Sequence, residues 1–174
     1  MRDPRIPMTP QQIPQQGVYI PVGAPWRPER FDVAVGYDER SLPEDAQLKR
    51  PPRKAHYLFQ AEWAWSPMNN RLSAFYLHRG RRYWSIFDRA YDEDGPQSRW
   101  QWYQRAVVPL RQASAKQAAF WLMVELMKFD HDEAFVEEWH WIGEAGELGI
   151  AETKAIAHIV WGGDWGAFTP RVAW

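Results

Sequence analysis

The part of this sequence densest in groups that ionise and ligate runs Asp130-His131-Asp132-Glu133 and resumes at Glu137-Glu138-Trp139-His140. Residues three apart share a helix face, so Glu137 and His140 would sit together as Glu-x-x-His pairs do in carboxylate-bridged metal bundles. A complete site of that kind needs a second such pair and two further glutamates, and this chain offers one pair. Glu125, His131 and His158 could add ligands, although nothing in their spacing makes them converge. The plainer reading is an acidic helix start capped by Asp130 or Asp132, with His140 on a solvated face. Glu137 and His140 are therefore the metal candidates, and a carboxylate/His metal-dependent enzyme is the third-ranked function. The expectation is a chain without catalytic residues, metal or other cofactor.

Other chemistry is narrowed by composition and motif. The absence of cysteine removes disulfides, thiolate nucleophiles and Cys-ligated metals. Gly-x-Ser-x-Gly, Walker and dinucleotide-binding patterns are absent, and the five histidines are widely spread. Gly162-Gly163-Asp164-Trp165-Gly166 follows an expected helix instead of opening one, so it reads as a C-cap and turn, not a phosphate cradle.

A different pattern points to binding. Arginines and rings interleave at Tyr76, His78, Arg79, Arg81, Arg82, Tyr83 and Trp84, and again at Arg99, Trp100, Trp102, Tyr103 and Arg105. On a sheet, alternate residues share a face, so guanidinium groups and rings could be displayed together. Arginine beside rings is also common in ordinary sheets, where it packs on them by cation–π contact, and that structural reading comes first for the pattern. Trp, Tyr and Arg also dominate the energetics of protein interfaces, which makes a protein partner the first functional reading. Rings beside guanidinium groups also stack unpaired bases and neutralise phosphates, which makes a single-stranded nucleic-acid binder the alternative. That alternative requires Arg79, Arg81, Arg82 and Arg105 on one exposed face with at least two rings. The candidate surface is Arg79, Arg81, Arg82, Tyr83, Trp84, Arg99, Trp100, Trp102 and Arg105.

The elements that must carry these residues are legible from periodicity. Tyr57 to Trp65 alternates, with Tyr57, Phe59, Ala61, Trp63 and Trp65 in one apolar row and Gln60 and Glu62 opposed. Leu72–His78, Tyr83–Tyr91 and Arg99–Val108 follow, separated by Ser66-Pro67-Met68-Asn69-Asn70, Arg79-Gly80-Arg81 and Asp92-Glu93-Asp94-Gly95-Pro96. The same residues fit a helical stripe from Leu72 to Ala90, but Gly80 and a shortage of helix formers weigh against it. From Ser114 onward, Ala115 to Met127 is an unbroken helix former, capped by Ser114 and apolar nearly all round. A second helix is expected from Asp130 or Asp132, with Phe135, Val136, Trp139 and Ile142 inward, and a third from Ala151 to Val160. The fold expected is α+β: a four-stranded antiparallel meander covered by about three C-terminal helices.

Ten of the fourteen prolines lie in residues 1–52, too closely spaced for a helix, so this part reads as an extended or disordered Pro-rich arm. It reads as a flexible tail in preference to a segment docked on its own domain, and as a contact surface for a partner. Residues 53–174 form the single expected domain. Its first part, 53–111, holds ten Lys/Arg against five acids, and its second, 112–174, four against ten. The two halves can complement each other internally, or the basic half can face a polyanion. Met1 to Pro7 lacks the apolar stretch of a signal peptide, and the apolar run Ala118–Met127 is too short for a bilayer. The expected setting is cytoplasmic, without membrane contact. Twelve tryptophans exceed what a core of this size needs, so two to four should be partly exposed.

Overall fold

The computed structural model describes residues 23–66, 69–92, 99–133, 138–142 and 146–161. A two-residue strand, β1 (Ala34–Val35), precedes four long ones: β2 (His56–Ser66), β3 (Asn69–Arg79), β4 (Tyr83–Asp92) and β5 (Arg99–Pro109). Helix α1 (Ala115–Glu133), strand β6 (Glu138–Ile142) and helix α2 (Ile150–Trp161) follow. The sheet is antiparallel throughout, in the order β1-β5-β4-β3-β2-β6. The architecture is thus α+β, and the expected four-stranded meander is its middle. The short strands β1 and β6 extend it on either side, and among the described residues two α-helices stand in place of about three.

The missing helix has a local explanation. α1 runs through Asp130 and Asp132 to Glu133, and Glu138–Ile142 is a strand on the edge of β2, with Trp139 opposite Trp63 and Trp141 opposite Ala61. Glu138-Trp139-His140-Trp141-Ile142 alternates polar with aromatic, and Trp and Ile favour a pleated surface where an edge offers unpaired backbone groups. Phe135 and Val136 lie outside the described residues. Beyond β6, the amides of Gly146, Glu147 and Leu148 donate to the Leu58 and Tyr57 carbonyls at 2.9–3.3 Å, so the contact with β2 continues. This approach demands glycine at 146, because a Cβ there would lie 2.4 Å from the Tyr57 carbonyl oxygen.

Both helices cover one face of the sheet. Ser114 opens α1 with a capping box: its hydroxyl accepts from the Gln117 amide at 3.2 Å, and the Gln117 side chain accepts from the Ser114 amide at 3.0 Å. Phe120, Leu122, Met123, Val124, Leu126 and Met127 are buried against Phe59, Phe75, Leu77, Ile86, Ala106 and Val108 from the sheet and Ile156 from α2. Each large side chain so buried contributes about 2 kcal/mol of transfer free energy. Trp84 joins this core with its indole N–H donated to the Ala113 carbonyl at 3.0 Å.

Residues 23–52 are tied to the rest of the chain. Trp121 donates to the Pro25 and Trp26 carbonyls, both at 3.2 Å, and the Arg27 guanidinium lies 5.1 Å from the Trp121 ring and 3.4 Å from Glu125. Gly23, at φ +96°, approaches the first turn of α2 so closely that a Cβ would stand 2.9 Å from the Ala151 carbonyl. Farther along, Leu42 and Ala46 bury themselves with Val107 on the face of the sheet opposite the helices. Gln104 pins this segment, donating to the Ala46 carbonyl at 2.8 Å and accepting from the Leu48 amide at 2.9 Å. The island Val18-Tyr19-Ile20 lies outside the described residues. Among the described residues, no helix is long and apolar enough to cross a membrane.

Candidate binding surface

Two β-bulges decide which side chains meet. In β2 the register shifts between Tyr57 and Phe59, so Leu58 and Phe59 are both fully buried while Tyr57 pairs with Tyr76 on the far side. The single apolar row expected from Tyr57 to Trp65 is therefore broken at its first member, because a bulge resets the alternation. In the β4–β5 pair, Ile86 faces Ala106 while Phe87 faces Gln104, leaving Arg105 as the extra residue.

Arg105 consequently does not lie on the expected surface. It is 4% exposed and joins two buried carboxylates, Asp88 at 3.2 Å and Asp130 at 2.5 Å, while its Nε donates to the Gly36 carbonyl at 2.6 Å. Burial works against its charge, but Asp130 and Asp88 outweigh that and hold its pKa above the ordinary guanidinium value. Asp130 stands near the negative end of the α1 dipole, a poor place for a carboxylate without such a partner. Trp84 is likewise interior, 8% exposed. Both were expected at the binding surface, and both are buried.

The face opposite the helices carries an aromatic row across four strands. Tyr57 packs against Tyr76 at 5.6 Å, Tyr76 against Trp102 at 4.9 Å, and Trp102 against Phe87 at 6.3 Å. Toward the β4–β5 end, Tyr91 meets Trp100 at 5.4 Å. Between them the Arg89 guanidinium sits 5.0 Å from the Trp100 ring and 5.7 Å from the Trp102 ring. No carboxylate pairs with Arg89 among the described residues. Trp100 is 38% exposed; Tyr57, Tyr76, Tyr91, Arg89 and Trp102 are half-buried. Trp100 and Trp26 are the exposed tryptophans among the described side chains.

Of the remaining candidates, Arg79, Arg81, Arg82 and Tyr83 gather at the β3–β4 turn, and Arg99 lies at the other end of β4. Arg79 lies opposite Trp84, 5.7 Å from its ring, and Arg81 and Arg82 stand exposed at the turn itself. The Tyr83 hydroxyl bonds both Asp45 oxygens at 3.2 Å, and burial together with Asp45 raises its pKa. Arg82 approaches the same carboxylate at 3.7 Å. Arg99 faces Asp92 in register.

The metal candidates do not form the arrangement expected of them. His140 is on strand β6 opposite Glu62, so the helical spacing to Glu137 does not apply, and Glu137 lies outside the described residues. Glu125 is engaged by Arg27, and His131 sits beside Asp132 at 3.2 Å. Among the described residues no three His, Asp or Glu side chains are grouped to hold a metal ion.

Sequence reasoning passed over Arg89, the residue that organises the open face. The signal was present: Phe87, Arg89 and Tyr91 alternate on one side of β4, and Trp100 and Trp102 alternate on β5. No protein-family model matches this chain, and no curated protein or solved structure matches it.

Proposed function

We propose that this protein is a non-catalytic binding module that docks a protein partner on the open face of its sheet, centred on Trp100, Arg89 and Trp102. The observation that carries this is the Arg89 guanidinium held over two indole rings with no carboxylate to neutralise it among the described residues. A half-buried cation on an aromatic bed gains on association, since a partner carboxylate would meet an already desolvated, oriented donor. Tyr91, Tyr76 and Tyr57 continue the surface with residue types that bury large area for little lost side-chain freedom. Residues 23–52 are engaged within the chain through Pro25, Trp26, Ala46 and Leu48.

The nucleic-acid alternative ranks second for two reasons. Its arginine set included Arg105, which is interior, and the rings that bases would stack on are already packed against one another or covered by Arg89. In its favour, His78 contacts Phe87 at 6.1 Å and so links the basic turn to the aromatic row on one face.

The test is retention of binding proteins from the source cell by wild type and by the double variant Arg89→Ala/Trp100→Ala, followed by reconstitution with the purified protein. A partner held by wild type and released by the double variant, with an unchanged circular dichroism spectrum, is the expected result. Identical retention by both would remove the open face from consideration.

A further inference from the structure

The β3–β4 turn gathers several arginines, and the fold answers only part of their charge: Arg82 meets Asp45 and Arg79 lies over the Trp84 ring. Arg79, Arg81 and Arg82 come from the turn, and Arg111 from the 3-10 turn after β5. Asp45 is the one carboxylate at this place, and it answers Arg82. Among the described residues no carboxylate lies within ion-pair distance of Arg79, Arg81 or Arg111. Like charges brought together repel one another, and an anion seated among them would relieve that repulsion.

The turn is also flanked by two clefts that share its arginines. One, of about 620 Å³, lies between the turn and the 45–48 segment, with Arg79, Arg81, Arg82, His78, Tyr83 and Asp45 in its walls. The other, of about 420 Å³, lies between Arg81, Arg82 and Tyr83 on one side and Leu110 and Arg111 on the other. The backbone holding them is fixed: Gly80 donates to the Tyr83 carbonyl and Leu110 to the Arg82 carbonyl, both at 2.9 Å. Arg81 and Arg82 therefore face two recesses at once from a preorganised turn.

We propose that this turn is a binding site for a compact polyphosphorylated ligand, with phosphoryl groups in both clefts bridged by Arg81 and Arg82. Guanidinium forks match phosphoryl oxygens in pairs, and several forks on one short turn suit a ligand that concentrates charge. Clefts of this size hold small ligands, whereas an extended chain would need a longer track of cations. This proposal is independent of docking at Trp100, and either can fail alone.

The probe is inorganic triphosphate titrated into the full chain by calorimetry at low salt, alongside Arg81→Ala, Arg111→Ala and the charge-matched control Lys128→Ala. All three side chains are exposed, so folding is not at issue. Saturable binding is expected in wild type, weakened about tenfold by each arginine change and barely altered by Lys128→Ala. Absence of saturable binding, or equal loss in all three variants, overturns the proposal. So does a glutamate-rich peptide that binds the turn as tightly as triphosphate. An oligonucleotide that binds through Arg81 and Arg111 while triphosphate stays silent also overturns it, and moves the turn to the nucleic-acid reading.

Discussion

The two faces of this sheet treat arginine in opposite ways. On the helix side, Arg105 is enclosed with Asp88 and Asp130, 1% and 5% exposed, and each of its three guanidinium nitrogens donates to a protein oxygen. On the open side, Arg89 rests on Trp100 and Trp102 and keeps its charge unanswered among the described residues. The first arrangement pays for removing charges from water with good geometry and fixes how α1 sits on β4 and β5. The second leaves a charge available, which is what a docking surface requires. Position relative to the core, not residue type, separates the enclosed arginine from the accessible one.

Replacing each arginine with methionine, which keeps most of the volume, sharpens this contrast. Arg105→Met leaves two buried carboxylates facing each other and is expected to lower stability by about 3–5 kcal/mol in denaturant unfolding. A loss below about 1 kcal/mol would mean the carboxylates find other partners or protons. Gly146→Ala tests the edge strand that helps frame the open face. Its Cβ would meet the backbone of β2, and a loss of about 1–3 kcal/mol is expected, against none if the 146–148 segment can step away. Ser114→Ala removes one arm of the capping box on the helix that carries Asp130, and should cost about 1 kcal/mol by thermal unfolding. Arg89→Met should change stability by no more than about 1 kcal/mol, the worth of an exposed cation–π contact, while abolishing partner retention.

The smallest effect concerns an ion pair outside both faces. The Arg40 side chain bonds to Asp38 and holds its carboxyl below the ordinary value of 3.8. A lowered folded-state pKa stabilises above the unfolded value, and that contribution disappears as pH falls through the lowered one. Because the Arg40 side chain is largely solvated, little stability follows from the pair. Carboxyl carbon NMR should show Asp38 titrating on the acid side of 3.8 and returning toward it in Arg40→Ala. An unmoved titration in that variant would assign the shift to another cause.

Four strands, the start of α1 at Ser114 and the position of α2 were legible because alternation, turn residues and caps act over a few neighbours. Tyr83–Tyr91 and Arg99–Val108 were read almost to their ends, β4 and β5 closing one residue farther on. Glu138–Ile142 was misread, since five residues satisfy either period and only the edge of β2 chooses between them. Trp100 and Trp102 are on the open face and Arg79, Arg81, Arg82 and Tyr83 at the turn, but Arg105 and Trp84 are inside.

What the sequence determined by itself is the set of local structures, because periodicity, capping and turn chemistry depend on residues close in the chain. What only the tertiary structure decided is the side on which each charge lies. One extra residue in β5 places Arg105 at a bulge, where Asp88 from β4 and Asp130 from α1, 17 and 25 residues away, close on it. Bulges and cross-strand registers are set by contacts between distant segments, and no local pattern records them.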